Sequence, residues 1–144
     1  MDKFWLKSYP PGVPHEIDPG QYRSLTHLLE ESFRKNATRP FSVCMDRWMS
    51  YRELDDLSCA LGAWLQSRGL EPGARVAIML PNVPQFAVTM AAVLRAGYTC
   101  VHVNPLFTGR ELEHQLKDSG ASAIVILEHF AATLEGGIAQ TPVK

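Results

Sequence analysis

Histidine and cysteine side chains are the first candidates for chemistry in this sequence of 144 residues, because they bind metals and transfer protons near neutral pH. Three histidines of the C-terminal half are 12 and 15 residues apart, and the cysteines form no CxxC pair. Zinc sites need much closer ligand spacing. We therefore predict no metal site from either set, which comprises His102, His114, His129, Cys44, Cys59 and Cys100.

His102 is a candidate for a proton-transferring residue because it lies inside an apolar run that predicts a strand. One interpretation is a buried general base. The other is a histidine of the core whose ring is satisfied by a single hydrogen-bond partner, and we favour it because one partner suffices for a neutral imidazole.

The sequence does not contain the other residue patterns that are typical of catalytic sites. Glu111 and Glu113 lie two positions apart on a predicted helix, so their carboxylates diverge and do not act as an acid–base pair. Ser119 and Ser122 lack the glycine-flanked turn that exposes a nucleophilic serine. The sequence also contains neither GxxxxGK[ST] nor GxGxxG, the two common phosphate-binding loops. We predict no catalytic, cofactor-binding or metal-binding residue in this chain.

Aromatic residues offer a different kind of site, a surface on which a base or ring could stack. Trp48 and Trp64 lie in predicted strand and helix patterns, where we expect core packing instead. Trp5 and Tyr9 belong to a proline-rich stretch, residues 1–22, which we predict to be an extended arm. They either dock onto the body of the protein or grip another subunit or a membrane surface.

The elements that would position any site centre on a strand–helix–strand unit. Residues 75–80 and residues 98–103 are short apolar runs, typical of strands buried in a parallel sheet. A helix starts near Pro84 between them, and Gly97 suits its C-terminal cap. A right-handed crossover would make the two strands parallel.

The segments before this unit predict a helix and a hairpin. Ser24 can cap a helix that ends before Pro40. Residues 41–44 and residues 48–50 are short apolar runs around a polar pair at residues 46–47, which indicates a β-hairpin with its turn at that pair.

Two reciprocal capping boxes predict further helices, one opened by Ser50 with Glu53 and one opened by Thr108 with Glu111. A third buried strand is predicted at residues 123–127. The fold class is therefore α/β, with an N-terminal hairpin and helices leading into a mostly parallel three-stranded βαβαβ sheet. Because so small a sheet leaves its edges exposed, residues 23–144 are predicted to be an incomplete α/β subdomain that could also self-associate as a homodimer.

The amino-acid composition of the chain limits the classes of function that it can have. Hydrophobic residues make up 46% and charged residues 20% of the chain, as in ordinary globular proteins. The net charge of −1 provides no attraction for nucleic acid, so we expect no nucleic-acid partner. No apolar run approaches the roughly 20 residues that span a bilayer. Cysteines within apolar patterns predict buried, reduced thiols and a cytoplasmic protein.

Several phrases of the sequence, in this order and covering nearly the whole chain, resemble the N-terminal part of the adenylate-forming (AMP-binding) enzymes. The resemblance is specific to the bacterial long-chain fatty-acid–CoA ligases. The phrases are KFWLKSYPPGVPHEIDP, MSYRELDDLS, GARVAIMLPNVPQF, LRAGYTCVHVNPLFTGRELEHQL and DSGASAIVIL.

This resemblance implies that the parent enzyme activates a long-chain fatty acid with ATP to an acyl-adenylate, releases pyrophosphate, and transfers the acyl group to coenzyme A. Mg²⁺ assists by neutralising phosphate charge. The family's phosphate-binding loop, its adenine- and ribose-binding residues and its C-terminal lysine have no matching positions here. We therefore expect a fragment that is inactive alone and binds none of these cofactors tightly.

The resemblance also implies a structural role for the ends of two predicted strands. Residues 81–82, Pro and Asn, and residues 104–105, Asn and Pro, would brace one wall of an active site that other sequence completes. An alternative is a stand-alone interaction or oligomerisation module without catalysis. Attachment of the parent enzyme to the cytoplasmic face of the inner membrane, through Trp5 and Tyr9, is a further possibility.

Overall fold

The computed structural model describes residues 2–143 of the chain. Ten helices and strands follow one another within these residues, with short 3-10 turns at Phe4–Ser8, Glu128–Phe130 and Ile138–Gln140. In chain order they are α1 Leu25–Asn36, β1 Pro40–Cys44, β2 Arg47–Ser50, α2 Tyr51–Gln66, β3 Arg75–Met79, α3 Pro84–Arg95, β4 Thr99–His102, α4 Gly109–Ser119, β5 Ala123–Ile126 and α5 Ala131–Glu135.

The central sheet has the strand order β4-β3-β5, and both pairings are parallel. Ile78 of β3 lies level with His102 of β4 on one side and with Val125 of β5 on the other. From Val76 to Met79 the middle strand is fully buried, as expected of a strand covered on both faces. The predicted α/β class with a parallel three-stranded sheet and a hairpin is confirmed.

Helices cover both faces of the sheet, and each face has its own apolar cluster. On one face α2 and α3 pack over alternate residues of β3, and on the other α4 does so together with the C-terminal segment. The first cluster contains Leu65, Val76, Ile78, Leu80, Ala92, Val93 and Tyr98. The second contains Ala77, Met79, Val103, Leu112, Leu116 and Ala121.

Side-chain caps begin three of the helices at the residues that the sequence predicts. Ser24 accepts a hydrogen bond from the His27 amide at the start of α1. Ser50 and Thr108 each accept from the amide three residues later, and the glutamate there accepts from the cap in return. Gly120 ends α4 in the left-handed conformation, at φ 64°.

The hairpin is present, but its turn is displaced by one residue from the prediction. Cys44 pairs with Arg47, so the loop consists of Met45 and Asp46 alone. Both loop residues have positive φ, 49° and 60°. A two-residue loop of this kind matches the twist of the flanking strands, which places Arg47 in β2 instead of the turn.

The N-terminal arm is less extended than predicted, because Phe4–Ser8 is a 3-10 helix. The Trp5 ring lies edge-on to Phe4, and Tyr9 lies edge-on to His15. Neither Trp5 nor Tyr9 joins an apolar core cluster, and Trp5 keeps 43% of its surface exposed.

Candidate functional site

The carboxyl edge of the sheet is where an α/β fold offers its strand ends to ligands. Pro81 and Asn82 come one residue after the end of β3, and Asn104 and Pro105 come one residue after the end of β4. Both asparagine side chains are exposed. The Asn104 Oδ1 accepts a hydrogen bond of 3.0 Å from the Leu106 amide, which fixes the loop after β4. These uncharged strand ends form a surface that can position a neighbouring group.

His102 lies at this edge and is exposed. Its ring centroid lies 5.4 Å from that of Phe86, with the planes tilted by 30°. Both sequence interpretations, a buried base and a core histidine, are therefore wrong. The physical reason is that β4 is an edge strand, so the end of the strand has no neighbour to cover it.

The remaining histidines and acidic residues do not assemble with His102 into a cluster. His114 and His129 are exposed. Glu111 is engaged by Thr108 at the start of α4, whereas Glu113 pairs with Lys117 four residues on. Within residues 2–143, no three His, Cys, Asp or Glu side chains are grouped as a metal site requires.

The two candidate serines, Ser119 and Ser122, make hydrogen bonds that belong to the secondary structure around them. The Ser119 hydroxyl donates to the Leu116 carbonyl at 3.4 Å, in the last turn of α4. The Ser122 amide donates to the Arg75 carbonyl at 2.8 Å, just before β5. Neither hydroxyl is hydrogen-bonded to a histidine that could activate it.

Both tryptophans lie outside the core, so the expectation of core packing is wrong for Trp48 and Trp64. Trp48 is 68% exposed and lies opposite Val43 on the outer face of the hairpin. Trp64 is 54% exposed, and the Arg68 guanidinium lies 5.3 Å from its ring centroid. The helical stripe that predicted burial extends past the edge of the sheet, where no strand covers it.

The cysteines are free thiols with different environments. Cys59 is exposed, which contradicts the prediction that all three are buried, and Cys44 and Cys100 are half-buried. Burial raises the pKa of the Cys100 thiol to about 11. A thiol of this kind is a poor nucleophile at neutral pH.

A groove of about 770 Å³ runs along β5, on the side of the strand that faces no other strand. Its floor is residues 122–126. One wall comes from Trp64 of α2 and from Arg68, which follows the end of that helix, and the other comes from Ile138 and Val143. Sequence reasoning predicted open sheet edges but did not indicate which edge carries a groove, because that depends on how the helices pack.

The residues present do not by themselves fit a nucleotide with Mg²⁺. Magnesium prefers carboxylate and phosphate oxygens, whereas the residues after β3 and β4 are asparagine and proline. Glu111, the first carboxylate of α4, already accepts two hydrogen bonds from Thr108.

Among the described helices, none combines the length and apolarity that crossing a bilayer requires.

Comparison with known proteins identifies relatives of the chain. The family described as AMP-binding enzyme matches residues 29–142. The long-chain-fatty-acid–CoA ligase of Escherichia coli is 50% identical over 145 aligned residues, which cover 100% of this chain and 26% of that protein. The chain thus spans about a quarter of the length of this relative.

Solved structures agree in fold. A long-chain-fatty-acid-CoA ligase from Archaeoglobus fulgidus superposes with a TM-score of 0.79 at 24% identity, over 94% of this chain and 28% of that one. The anthranilate CoA ligase AuaEII, in complex with anthranoyl-AMP, superposes with a TM-score of 0.78 at 21% identity, over 84% of this chain and 23% of that one.

Proposed function

This chain belongs to the AMP-binding enzyme family, and we propose that it is the N-terminal part of an ATP-dependent long-chain fatty-acid–CoA ligase. The observation that carries the proposal is the 50% identity to the Escherichia coli ligase over the whole chain. A likeness of fold alone would not suffice, since one fold serves many activities.

The proposed reaction of the whole enzyme has two steps. A long-chain fatty acid displaces pyrophosphate from ATP to give an acyl-adenylate, and the thiol of coenzyme A then displaces AMP to give the acyl-CoA. Mg²⁺ would neutralise phosphate charge in the first step. The role of this chain in the reaction is structural, because its strand ends at Asn82 and Asn104 form one wall of the site. Groups from the remaining sequence perform the chemistry.

We propose that the 144-residue chain alone does not catalyse this reaction and binds ATP, Mg²⁺ and coenzyme A at most weakly. The support is its extent, about a quarter of the length of the relative, together with the engagement of Glu111 in a helix cap and of Glu113 in an ion pair. Incubation with ATP, Mg²⁺, oleate and coenzyme A, followed by chromatography of acyl-CoA, should give a buffer-blank signal. The complete Escherichia coli relative is the positive control, and sustained turnover by the chain alone would contradict the proposal.

A second candidate is a stand-alone interaction module without catalysis, and the groove along β5 favours it. The coding sequence that follows Lys144 distinguishes between the two proposed functions. A reading frame that continues past Lys144 into a Ser/Thr/Gly-rich loop supports the ligase, whereas a native stop codon at that point supports the module.

For the parent enzyme we propose a cytoplasmic location with peripheral attachment to the inner membrane through the arm. The exposed rings of Phe4, Trp5 and Tyr9 are the support, since aromatic side chains favour the membrane interface. Vesicle co-sedimentation should fall when residues 1–20 are deleted, and unchanged co-sedimentation argues against the arm. Homodimer formation, a separate proposal, is checked by light scattering during size-exclusion chromatography.

A further inference from the structure

The hairpin of β1 and β2 carries its large apolar side chains on the face that is turned to solvent. Burial alternates along β1, so that Ser42 and Cys44 are half-buried whereas Phe41 and Val43 are exposed. Trp48 of β2 lies level with Val43 and shares this outer face. The most apolar face of the hairpin therefore has no protein neighbour within residues 2–143.

The turn of the hairpin adds a further apolar side chain at its end. Met45 is the first of the two loop residues, and 94% of its surface is exposed. Val43 and Trp48 form the second cross-strand pair from the turn. Three apolar side chains thus lie within about 7 Å of the tip along the hairpin axis.

Basic side chains accumulate in and beside the hairpin. Residues 34–52 contain five basic residues and one acidic residue, Asp46, although the whole chain has a net charge of −1. All five are exposed, and the ion pairs found within residues 2–143 involve other side chains. These unpaired cations are Arg34, Lys35, Arg39, Arg47 and Arg52.

Most of these charges lie behind the apolar end of the hairpin. The Tyr51 amide donates to the Arg39 carbonyl at 3.1 Å, so the residues on either side of the two strands meet at the base. Strands of five and four residues separate this base from Met45 by about 15 Å. An apolar tip with cations behind it is the order found in segments that dip into a membrane interface, where basic groups stay level with the lipid phosphates.

We propose that the hairpin surface, meaning Phe41, Val43, Met45, Trp48 and the five basic residues of the segment 34–52, docks on an anionic lipid bilayer. The apolar side chains enter the interface, and the cations bind the lipid phosphates. This surface is separate from the N-terminal arm. The inference requires neither the arm nor the ligase function.

A second copy of the chain fits the hairpin surface less well than a lipid bilayer does. Two hairpins packed face to face would bring two sets of unpaired cations together, and like charges across an interface oppose association. The occupant must instead carry negative charge beside an apolar layer, as an anionic bilayer does.

The first test is co-sedimentation of the 144-residue chain with lipid vesicles. Vesicles of equimolar phosphatidylglycerol and phosphatidylethanolamine should bind the chain at least tenfold more tightly than vesicles of phosphatidylcholine. Added salt should weaken this binding, because it screens exposed charges. Equal binding to both kinds of vesicle, or binding to neither, overturns the proposal.

Tryptophan fluorescence shows which surface enters the bilayer, because the three tryptophans lie on three different surfaces. Three proteins each keep one of Trp5, Trp48 and Trp64 and carry phenylalanine at the other two positions. Phosphatidylglycerol with brominated acyl chains should quench Trp48 strongly and leave Trp64, on α2, unquenched. A bound protein whose Trp48 is unquenched overturns the proposal, and quenching of Trp5 alone assigns the contact to the arm.

Substitutions of exposed arginines provide a second readout. Arg39→Gln with Arg47→Gln should weaken binding to the anionic vesicles by more than tenfold, since each basic residue near a membrane contributes about fivefold. The matched control is Arg23→Gln with Arg110→Gln, which changes the net charge equally at exposed positions outside the hairpin surface and should have a smaller effect. Equal losses would mean that only the net charge matters and would overturn the proposal.

Asp46 offers a substitution with the opposite sign. Its carboxylate lies in the turn, where lipid phosphates would repel it, so Asp46→Asn should strengthen binding several-fold. Asparagine tolerates the φ of 60° at this position, and urea denaturation verifies that each variant is folded. Trp48→Ala should weaken binding, whereas Trp64→Ala should not. Weaker binding after Asp46→Asn, or equal effects of the two tryptophan substitutions, overturns the proposal.

Other occupants of the hairpin surface would give different results. Polyglutamate that binds the chain as tightly as the anionic vesicles do would overturn the lipid assignment in favour of an acidic protein. A dimer that dissociates after Trp48→Ala, detected by light scattering, would assign the surface to a second copy. A parent protein that makes no acyl-CoA contradicts the ligase function alone, whereas an unquenched Trp48 contradicts this inference alone.

Discussion

Arg95 of α3 is bound to Asp55 of α2 by an ion pair in which Nη1 lies 2.6 Å from Oδ1. The same nitrogen donates to the Asp55 carbonyl and to the hydroxyl of Ser58, each at 3.0 Å. The guanidinium also lies 5.9 Å from the ring centroid of Phe33 in α1. One arginine thus links the three helices that cover this end of the molecule.

Replacing Arg95 by alanine should lower the free energy of unfolding by about 2 kcal/mol. The arginine side chain is 18% exposed, and its removal leaves the buried Ser58 hydroxyl without this donor. The Asp55 side chain is 41% exposed, so water can bind its carboxylate in the variant and reduce the loss of stability. Urea denaturation followed by circular dichroism measures the change.

Arg95→Lys should cost less than Arg95→Ala, because it keeps a charged nitrogen that can donate to Asp55, but it loses the guanidinium plane beside Phe33. The matched control is Lys117→Ala, which removes an exposed pair between Lys117 and Glu113 within one helix and should cost less than about 0.5 kcal/mol. Equal losses for the two alanine variants would show that the arginine is no more than a surface contact.

The sequence predicted local features of the fold well. The capping boxes at Ser50 and Thr108, the strand at β3 and the left-handed glycine Gly97 after α3 each depend on residues that are close to one another in the sequence. Their physical causes are visible in the sequence because the interacting groups are neighbours in it.

Features that depend on strand order were predicted poorly. Burial of Trp64 and His102 was expected from apolar patterns, but both lie where the sheet ends, and the order β4-β3-β5 cannot be read from periodicity. The Arg95 link was missed for the same reason, since it joins residues 40 positions apart. The groove along β5 forms only when α2 and the C-terminal segment have packed on either side of the strand.

The capping boxes should make the chain less stable in acid. Hydrogen bonds from the backbone amide and then the hydroxyl of Ser50 lower the pKa of Glu53 below its ordinary 4.5, and Thr108 lowers the pKa of Glu111 in the same way. A lowered pKa in the folded state means that the stabilisation is complete above the ordinary value and is lost as the pH falls through the folded one. Thermal unfolding from about pH 6 to about pH 3 should show this decline.

The double variant Glu53→Gln with Glu111→Gln removes both capping carboxylates, so its stability should fall less on acidification than that of the unmodified chain. Ser67→Ala is the control, because the Ser67 hydroxyl bonds the Trp64 carbonyl and no carboxylate. If the double variant declines as steeply as the unmodified chain, the caps are not the source of the acid sensitivity.

The thiols should differ in their reaction with iodoacetamide. Cys59 is exposed, whereas burial raises the pKa of Cys100 to about 11, which leaves roughly one thousandth of that thiol ionised at about pH 8. Peptide mapping by mass spectrometry should find Cys59 labelled first in the folded chain. Labelling in urea is the control, since unfolding should remove most of the difference, and equal rates in the folded chain would contradict the burial of Cys100.

The hairpin turn offers a substitution that should stabilise the chain. Met45 and Asp46 both have positive φ, a conformation that costs non-glycine residues about 1 kcal/mol or more, and the Met45 side chain is almost fully exposed. The double variant Met45→Asn with Asp46→Gly supplies the residues that prefer this turn and should raise the free energy of unfolding by about 1 kcal/mol. Met45→Val places a β-branched residue at the same exposed position and should lower it. Urea titration should show a higher midpoint for the Asn-Gly variant and a lower one for Met45→Val if the loop is Met45 and Asp46. If the turn lay at residues 46–47, residue 45 would belong to β1, and Met45→Val should then not destabilise the chain.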